Sequence, residues 1–413
     1  MSEHLKTTSE ELGAVVSTRQ LRTLLTSSYS KVIYCFHNKG GFVVRNIFEH
    51  TKEINAKAVI VGASLSGLMT GIALAQEGVH VTIVEKVGEN RRGGSGLRVD
   101  GGTFGQSKTE KLLKHLVSGG KSSVQLWSSI ESRLREEAKR NNNIDLHYKT
   151  RVVALEQDDD AAWVVTDQGQ TIWGDILIGA DGHNSQVRGH IAPHKPNATY
   201  AGYMGWIASM SEDDLPEHLR PGYDYDGPVV EMFDSFDGFK FGSIIEREGG
   251  SSEGRRIGCT WYDNKQSDLL RRLGSVDGMV VRHSLNGSDI PEQTLNELAV
   301  QASHWPEPWR SAALNAIQTR TLIGIPIKEY VPDRLVNGRI ALVGDAAHVP
   351  APVTASGFNE SLQDAVALGK CVANGIQGQA AIQALAMFEF LRLENVRQMV
   401  QSGQFYSRSF GRP

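Results

Sequence analysis

Shortly after residue 55 the pattern of apolar and polar positions predicts a β-strand, a helix and a second β-strand. The run AVIVG ends in Gly62, the following LSGLMTGIALAQEG repeats its apolar residues at helical spacing, and HVTIVEK is short and β-branched. A strand, a tight turn, a helix and a returning strand make a βαβ unit. Such a unit places its two strands parallel in one sheet.

Downstream of this unit, one helix precedes a series of short strands. Residues 122–140 predict the helix, with Trp127 and Leu134 on its apolar face. Five runs of strand composition follow, namely IDLHY, TRVVALEQ, AAWVVTD, QTIWG and DILIGAD. The three aspartates at 158–160 are best explained as a solvated turn between two strands, and no metal site is expected in the chain.

Residues 196–324 are dominated by strands, in TYAGYMGWIASM, PVVEMFDSF, FKFGSIIE and RRIGCTWYDN. Helical spacing follows in PEQTLNELAVQASHW and PEPWRSAALNAIQ. The later segments TLIGIPIKEY and GRIALVGDAAH again have the composition of the first βαβ unit. This order predicts an α/β protein in which a Rossmann-like dinucleotide-binding domain is discontinuous and carries an inserted mixed β-sheet domain. The expected boundaries are 56–195 and 325–400 for the first domain, 196–324 for the insert, and 401–413 for a C-terminal tail.

Residues 1–55 do not share this organisation and are predicted to form an atypical N-terminal extension. A polar, weakly helical stretch precedes two short apolar runs, KVIYCFHN and GFVVRNIF. Loose packing is the simplest expectation for such a terminus, and an oligomerisation or targeting arm is the alternative.

Composition narrows the classes of protein that remain. With 43 Lys and Arg against 47 Asp and Glu, the net charge is 43 − 47 = −4, so nothing favours nucleic acid or anionic lipid as a partner. No apolar run approaches the roughly 18 residues that span a bilayer. The cysteines Cys35, Cys259 and Cys371 are far apart, which excludes a disulfide scaffold and fits a reducing compartment. We therefore expect a cytoplasmic protein without a membrane span.

A glycine-rich turn between the first strand and the first helix carries the first candidate site. The turn and helix start consist of Gly62, Ser64, Leu65, Ser66 and Gly67. Its small residues permit a tight bend, let backbone N–H groups approach a pyrophosphate, and allow close helix–strand packing, while the helix dipole attracts the anion. Glu85, which ends the second strand, is placed to accept hydrogen bonds from ribose hydroxyls. The arrangement predicts dinucleotide binding, and a plain glycine-rich turn is the alternative.

Two further motifs follow strands of the same type. Gly179-Ala-Asp181-Gly182 leads through Ser185 to Arg188, and Gly344-Asp345 leads through two alanines to His348. Each aspartate stands at a strand's carboxyl end, where doubly wound sheets bind ligands and a carboxylate can hold sugar hydroxyls. Taken alone, each aspartate could equally cap a turn.

In this order, G-x-S-x-x-G with its Glu, D-G-x-x-S-x-x-R and G-D-A-A-H resemble the single-component (group A) FAD-dependent aromatic hydroxylases, which have a p-hydroxybenzoate-hydroxylase-like fold. The resemblance covers about residues 56–400. It extends to Pro352, Gly357, Asn359 and Asp364, which fall where that family has P…G…N…D. The segments TYAGYMGW, CTWYDN and PEPWRSAALNA look most like the branch containing 2,6-dihydroxypyridine 3-monooxygenase.

The resemblance implies a set of FAD-binding positions spread over all three motifs. They are Gly62, Ser64, Leu65, Ser66, Gly67, Glu85, Lys86, Val152, Asp181, Gly182, Arg188, Gly344, Asp345, Pro352, Gly357, Phe358 and Asn359. Four features depart from the family. Trp127 stands where many members have an Arg, and the span from Gly96 to Trp127 looks short. Ala355, Glu360 and Ser361 replace small or Gly positions in the flavin-supporting loop, and residues 1–55 have no counterpart. The short span and Glu360 leave open a catalytically impaired relative.

The activity that the resemblance implies is hydroxylation of a small hydroxylated aromatic or N-heteroaromatic ring. FAD would be reduced by NADH or NADPH, which visits transiently, and O2 would yield a C4a-hydroperoxyflavin that transfers one oxygen. An FAD-dependent oxidoreductase that inserts no oxygen is the alternative, and a homodimer is one assembly open to the chain.

Catalytic and substrate-binding residues are the least constrained by the sequence. His348 could act as a base or orient the substrate, and a structural histidine is the competing interpretation. Tyr203 is a second catalytic candidate. Substrate contacts are expected from Trp206, Met232, Trp261 and Pro352. Aromatic side chains on strands more often fill a core, so only part of this set is expected to face a pocket.

Overall fold

The computed structural model describes residues 34–38, 41–45, 56–89, 96–99, 107–120, 124–221, 229–235, 238–245 and 255–411. The chain divides into two compact units, Met1–Ile54 and Asn55–Pro413. In the first unit, Tyr34–Asn38 and Gly41–Arg45 form an antiparallel hairpin. The other expectations for residues 1–55 lie outside the described residues.

The β-strands are numbered here in chain order. They are β1 Tyr34–Asn38, β2 Gly41–Arg45, β3 Lys57–Val61, β4 His80–Val84, β5 Gly96–Arg98, β6 Val124–Leu126, β7 Ile144–His147, β8 Val152–Gln157, β9 Ala162–Thr166, β10 Thr171–Gly174, β11 Ile176–Gly179, β12 Thr199–Ser211, β13 Val229–Asp234, β14 Lys240–Ile245, β15 Arg256–Asp263, β16 Val276–Asp277, β17 Val280–Val281, β18 Leu285–Asn286, β19 Ile323–Glu329, β20 Val336–Asn337 and β21 Ile340–Leu342.

The α-helices of the described residues are numbered in the same way. They are α1 Leu65–Gln76, α2 Lys108–Ser118, α3 Trp127–Arg140, α4 Gln186–Ile191, α5 Ser267–Arg272, α6 Glu292–Ala302, α7 Trp309–Gln318, α8 Gly357–Val372 and α9 Gln379–Phe410. Short 3₁₀ turns occur at Glu212–Asp214, Glu217–Leu219, Gly344–Ala346 and Pro352–Thr354.

A six-stranded sheet in the order β20-β21-β11-β3-β4-β7 forms the centre of the second unit. Its strands from β21 to β7 run parallel, and β20 is the antiparallel edge strand. The interior strands are apolar along their length because both faces of such a parallel sheet are covered. Helix α1 contacts β3 and β4, and the three-stranded sheet β10-β9-β8 contacts β3 and β11. Helix α1 packs against α3 and α8, and its residues from Leu65 to Ala75 are almost all buried.

The order of these strands fixes where a ligand binds. The chain leaves β3 through α1 to β4 on one side, whereas β11 and β21 lie on the other side of β3. The strand order therefore reverses at β3, and ligands of doubly wound sheets bind at the carboxyl ends beside such a reversal. All three motifs follow β3, β11 or β21, and Glu85 follows β4.

The inserted domain contains an eight-stranded sheet built around the long strand β12. The main path is β13-β14-β15-β12-β17-β16, and β19 pairs with both β12 and β18. Every pairing recorded among its described strands is antiparallel, so the expected mixed sheet is corrected to an antiparallel one. Its apolar face packs on helices that include α7.

Three segments differ from their predictions. The helix expected over 122–140 begins at Trp127, because Val124–Leu126 pairs instead with Gly96–Arg98. Strand β19 was grouped with the cofactor half but pairs with β12, since strand composition alone does not identify a partner sheet. The expected tail at 401–413 continues α9 as far as Phe410.

Helix α2 was missed in the sequence. Its start is marked by Ser107, whose side chain accepts a hydrogen bond from the Glu110 backbone N–H, and its end by Gly119 in the left-handed conformation. Its apolar residues Leu113 and Val117 are fully buried. These signals are ordinary helix boundaries that the sequence analysis did not use.

Candidate cofactor and active site

A cavity of about 1130 Å³ opens at the carboxyl edge of the parallel sheet. Predicted cofactor residues from all three motifs line it: Gly62, Ser64, Leu65, Ser66, Glu85, Lys86, Val152, Asp181, Gly182, Asp345, Pro352, Gly357 and Phe358. They are brought together because their segments follow adjacent strands of the sheet. Gly67, Arg188, Gly344 and Asn359 are not among the lining residues, and each supports a residue that is.

The glycine-rich turn has no room for side chains at two of its positions. Gly62 has φ +105°, and a Cβ there would lie 2.4 Å from the carbonyl oxygen of Ala180. A Cβ on Gly67 would lie 1.9 Å from the carbonyl oxygen of Gly62. Ser64 stands where the fingerprint has its middle glycine, and it lines the cavity in an extended conformation. The first amides of α1 therefore face open space that a pyrophosphate can enter.

Glu85 links this turn to the segment that follows β4. Its Oε2 accepts a hydrogen bond from the Ala63 backbone N–H at 2.8 Å, and its Oε1 accepts one from the Val87 N–H at 3.0 Å. The carboxylate is 4% exposed, and it lines the cavity. A carboxylate oxygen can accept more than one hydrogen bond, so a ribose hydroxyl can add to these two.

The second motif is braced by buried Arg188. Its guanidinium donates hydrogen bonds to the carbonyl oxygens of His183, Asp345 and Ala346, and lies 4.4 Å above the Tyr330 ring. Because one side chain reaches both the second and the third motif, it fixes their separation. Arg188 therefore acts behind the cavity wall rather than in the cavity.

Asp181 points from the same loop into the site. It accepts hydrogen bonds from Ser185 Oγ at 2.5 Å and from the Gln186 N–H at 2.7 Å. Burial raises the pKa of Asp181, and these hydrogen bonds partly oppose that shift.

The third motif turns tightly against α1. Gly344 has φ +59°, and a Cβ there would lie 2.6 Å from Cβ of Ser66. Asp345 lines the cavity. Desolvation raises the pKa of Asp345, against the opposing charges of His348 and Arg188.

His348 does not line the cavity. It is fully buried, and its Nε2 lies 2.7 Å from Oδ2 of Asp364, which also accepts a hydrogen bond from the Gly344 N–H at 2.9 Å. Among the described residues its Nδ1 has no hydrogen-bond partner. His348 therefore supports the turn through Asp364 and has no contact with the cavity in which a substrate would bind.

The other predicted substrate residues, except Pro352, are not among the residues that line the cavity. Trp206 and Trp261 are 0% and 1% exposed in the core of the antiparallel sheet, where they contact each other. Met232 is 54% exposed, on β13. The expectation that these three contact substrate has no support in their placement.

Tyr203 lies in an aromatic cluster beside the cavity. Its ring makes edge contacts with Tyr262, Tyr406 and Phe410 at centroid distances of 5.3–6.0 Å. Burial raises the pKa of the Tyr203 hydroxyl, which disfavours its use as a base. The cluster adjoins the cavity through Ile327, a residue common to both.

Four cationic cavity residues were missed in the sequence: Arg98, Arg151, Arg282 and Lys328. With the predicted Lys86 they line the cavity, against the acidic Glu85, Asp181 and Asp345. Desolvation, followed by repulsion from Lys328 and Arg188, lowers the pKa of His183 to about 4. Desolvation and repulsion from Arg188 lower the pKa of Lys328 to about 8, while Asp345 opposes that shift. An excess of positive charge fits an anionic ligand.

The residues present fit an FAD molecule. Backbone N–H groups at the start of α1 suit the pyrophosphate, Glu85 suits the ribose hydroxyls, and Asp345 suits the ribityl chain or the region near the pyrophosphate. The loop Pro352–Asn359 leads into α8 and lines the cavity's remaining side. Its backbone would lie along the isoalloxazine ring.

A doubly wound sheet with three ligand-facing motifs at adjacent strand ends defines a dinucleotide-dependent flavoprotein. The FAD binding domain family model matches residues 55–120, 105–269 and 281–403, and the chain belongs to this family. The resemblance seen in the sequence is thereby confirmed.

Known proteins of similar sequence and structure agree with this family. The chain is 26% identical to 3-hydroxybenzoate 6-hydroxylase of Klebsiella oxytoca over 86% of its own length and 88% of the relative's. It is 24% identical to 2,6-dihydroxypyridine 3-monooxygenase of Paenarthrobacter nicotinovorans over 76% of its own length and 82% of the relative's. A solved 2,6-dihydroxypyridine-3-hydroxylase from Arthrobacter nicotinovorans shares the fold, with a TM-score of 0.68, 21% identity and coverage of 86% and 93%.

The chain is an FAD-dependent monooxygenase of the aromatic-hydroxylase type, with NADH or NADPH as electron donor. Within the described part of the chain, none of the helices combines the length and the apolar character required to cross a membrane.

Proposed function

We propose that the chain hydroxylates a small aromatic or N-heteroaromatic ring that already carries a hydroxyl group. The observation that carries the proposal is the cavity wall opposite the sheet. Ile325 and Ile327 of β19 and Pro352 of the flavin-facing loop provide apolar surface beside the cations Arg282 and Lys328. Apolar walls suit a flat ring, and cations stabilise an ionised hydroxyl, which makes the ring carbon more nucleophilic.

When bound, FAD supplies the redox chemistry, accepting electrons from NADH or NADPH and activating O2 for transfer to the ring. The chain's own residues perform the remaining tasks. Glu85 and the amides of α1 bind the cofactor, and Arg188 keeps the second and third motifs at a fixed distance. The apolar wall orients the ring and limits the access of water.

Two relatives support a hydroxylated substrate. Their names describe hydroxylation of 3-hydroxybenzoate and of 2,6-dihydroxypyridine, and both compounds are small rings with an acidic hydroxyl. We propose the same class of substrate for this chain. O2 is the proposed second substrate.

The test is a visible spectrum of the purified protein followed by NADH and NADPH oxidation in air. Hydroxypyridines, hydroxybenzoates and polyphenols form the substrate panel. A ring that stimulates oxidation and yields a product with one oxygen atom from labelled O2 supports the proposal. Stimulated oxidation that yields only hydrogen peroxide from every ring would favour an oxidoreductase without oxygen insertion.

We also propose a homodimer that forms through α9. Met387, Phe390, Leu391 and Phe405 are exposed on this helix, with Phe390 at 81% and Phe405 at 80%. Met387 and Phe405 are 18 residues apart, which is five full turns of the helix, and Phe390 and Leu391 follow Met387 by three and four residues. The four side chains therefore lie on one side of the helix. In an antiparallel pair of α9 helices, Phe390 of each copy meets Phe405 of the other. Light scattering of the wild type and of F390D tests this, and a monomeric wild type contradicts it.

A cytoplasmic location is the remaining part of the proposal. Cys259 and Cys371 are free thiols, and free thiols persist in reducing compartments. Fractionation of cells that express the full chain tests it, and recovery of the chain outside the cytoplasm contradicts it.

A further inference from the structure

Behind the third motif, four charged or titratable side chains form a buried chain of contacts. Oδ1 of Asp364 accepts a hydrogen bond from Nε of Arg392 at 2.8 Å, and Oδ2 lies 2.7 Å from Nε2 of His348. Nη2 of Arg392 donates to Oε2 of Glu360 at 2.5 Å. Asp364 is 1% exposed and Arg392 is 6% exposed. The contacts join α9 to α8 and to the turn that carries Asp345.

The network explains how Glu360 is accommodated. In the sequence this residue stands where the family has small residues, at the start of the helix beneath the flavin. The structure turns its carboxylate away from the cavity and onto α9, where Arg392 pairs with it. Arg392 also donates to the backbone carbonyl of Glu360, which holds the first turn of α8 as well as the side chain.

Asp364 transmits this arrangement to the cavity. Its Oδ2 accepts the Gly344 N–H at 2.9 Å, and Gly344 immediately precedes Asp345. Gly344 packs on Ser66 of the first motif so closely that a Cβ would clash. A displacement of Asp364 therefore moves the turn against the pyrophosphate-binding helix.

We propose that Arg392 is a positioning residue for the FAD site: by pairing with both Asp364 and Glu360, it fixes the turn Gly344–His348 and the start of α8. Neither Arg392 nor Glu360 lines the cavity, so their effect on the cofactor passes through Asp364 and the backbone. This inference rests on FAD binding in the cavity and not on the identity of the ring substrate.

The charges around Asp364 make the proposal testable by pH. His348 faces Asp364 from the turn, Arg392 faces it from α9, and Glu360 faces Arg392 from α8 itself. Helix α1, on another side of α8, contains no charged residue. Burial acts to raise the pKa of Asp364, but His348 and Arg392 outweigh burial and hold it below its usual value.

The experiment measures the FAD dissociation constant by fluorescence between pH 5.5 and 8. In the wild type Asp364 stays ionised over this range, and we expect little change with pH from this group. In R392M burial is no longer opposed by the guanidinium, so the pKa of Asp364 rises. Affinity then falls with decreasing pH, by up to about tenfold per unit below that pKa.

Three further variants separate positioning from a general loss of stability. R392K keeps the positive charge and should restore most of the FAD affinity. E360Q leaves the pair between Arg392 and Asp364 in place and should therefore lose less FAD affinity than R392M. R397M is the matched control, because Arg397 lies on α9 and donates to the carbonyl oxygens of Pro332 and Asp333, away from the cavity. We expect its FAD affinity to remain within about twofold of the wild type, as for a surface substitution.

Two results would overturn the proposal. One is an R392M protein that binds FAD like the wild type at every pH. The other is an equal, pH-independent loss in R392M and R397M, which would indicate only a shared loss of stability. If R392M does not fold, the FAD affinity of E360Q against that of R397M decides, and an E360Q protein that binds FAD as tightly as R397M overturns the proposal. A wild type that binds no FAD would instead refute the cofactor assignment.

Discussion

The parallel sheet and the antiparallel sheet differ in how closely their functional residues follow the sequence. In the parallel sheet, ligand-facing residues occupy the carboxyl ends of strands, a place that the chain order alone identifies. In the antiparallel sheet, one face packs on helices and the other adjoins the cavity. A residue's role there depends on which face it occupies, and a shift of one position reverses that face. Most of the cofactor residues predicted from motifs therefore line the cavity, whereas of the predicted substrate residues only Pro352 does.

The first prediction concerns Gly62, where both the backbone conformation and the surrounding atoms exclude a side chain. In G62A the new Cβ would lie 2.4 Å from the Ala180 carbonyl oxygen, at φ +105°. We expect the unfolding free energy to fall by roughly 2–4 kcal/mol and the purified protein to contain less bound FAD. G78A is the matched control: Gly78 has φ +82°, but no atom lies within 4 Å of its Cβ position. Calorimetry and flavin content measure both, and equal effects would contradict a role for close packing.

The second prediction concerns Glu85, the acidic residue at the end of β4. E85Q keeps the size of the side chain but replaces one carboxylate oxygen by an NH2 group, which cannot accept the hydrogen bond from the Ala63 N–H or the Val87 N–H that this oxygen accepts. We expect FAD affinity to fall on the order of tenfold, the effect of one charge-assisted hydrogen bond. E89Q is the control, since Glu89 forms an ion pair with Lys139 at the surface. Fluorescence titration with FAD gives both values, and similar losses would refute the assignment.

The third prediction tests the antiparallel sheet directly. Trp261 is buried in its core, and among the described residues its Nε1 has no hydrogen-bond partner. W261F should therefore lower the unfolding free energy by about 1–2 kcal/mol through lost volume, without changing KM for the ring substrate. I327A removes apolar surface at the cavity and should raise that KM by about tenfold. A larger change of KM in W261F than in I327A would reverse the comparison of the two faces.

The sequence was sufficient where local signals determine the structure. Gly62, Gly67 and Glu85 lie within one βαβ unit, so their strand, turn and helix signals agree and predict their arrangement. Asp181 and Asp345 were placed by the same rule at other strands. The Lys328 side chain could not be placed, because β19 joins β12 across a long separation in sequence and its face depends on that register. His348 was ambiguous for a similar reason: Asp364, which contacts it, and Arg392, which contacts Asp364, lie on later helices.

The smallest expected effect concerns Lys328, whose surroundings lower its pKa toward neutral pH. Desolvation and Arg188 lower its pKa to about 8, so the lysine carries most of its charge at pH 7 and loses it as the pH rises through 8. A bound anion stabilises the charged form; its affinity is therefore fully supported below that pKa and declines above it. The side chain is partly exposed, and solvent weakens the interaction, so we expect FAD affinity to fall only about two- to fivefold from pH 7 to 9. K328R should remove this decline because its guanidinium stays charged, and K328M should show the weaker affinity at both pH values. A decline that persists unchanged in K328R would assign the titration to another group and remove Lys328 from the cavity's anion-binding surface.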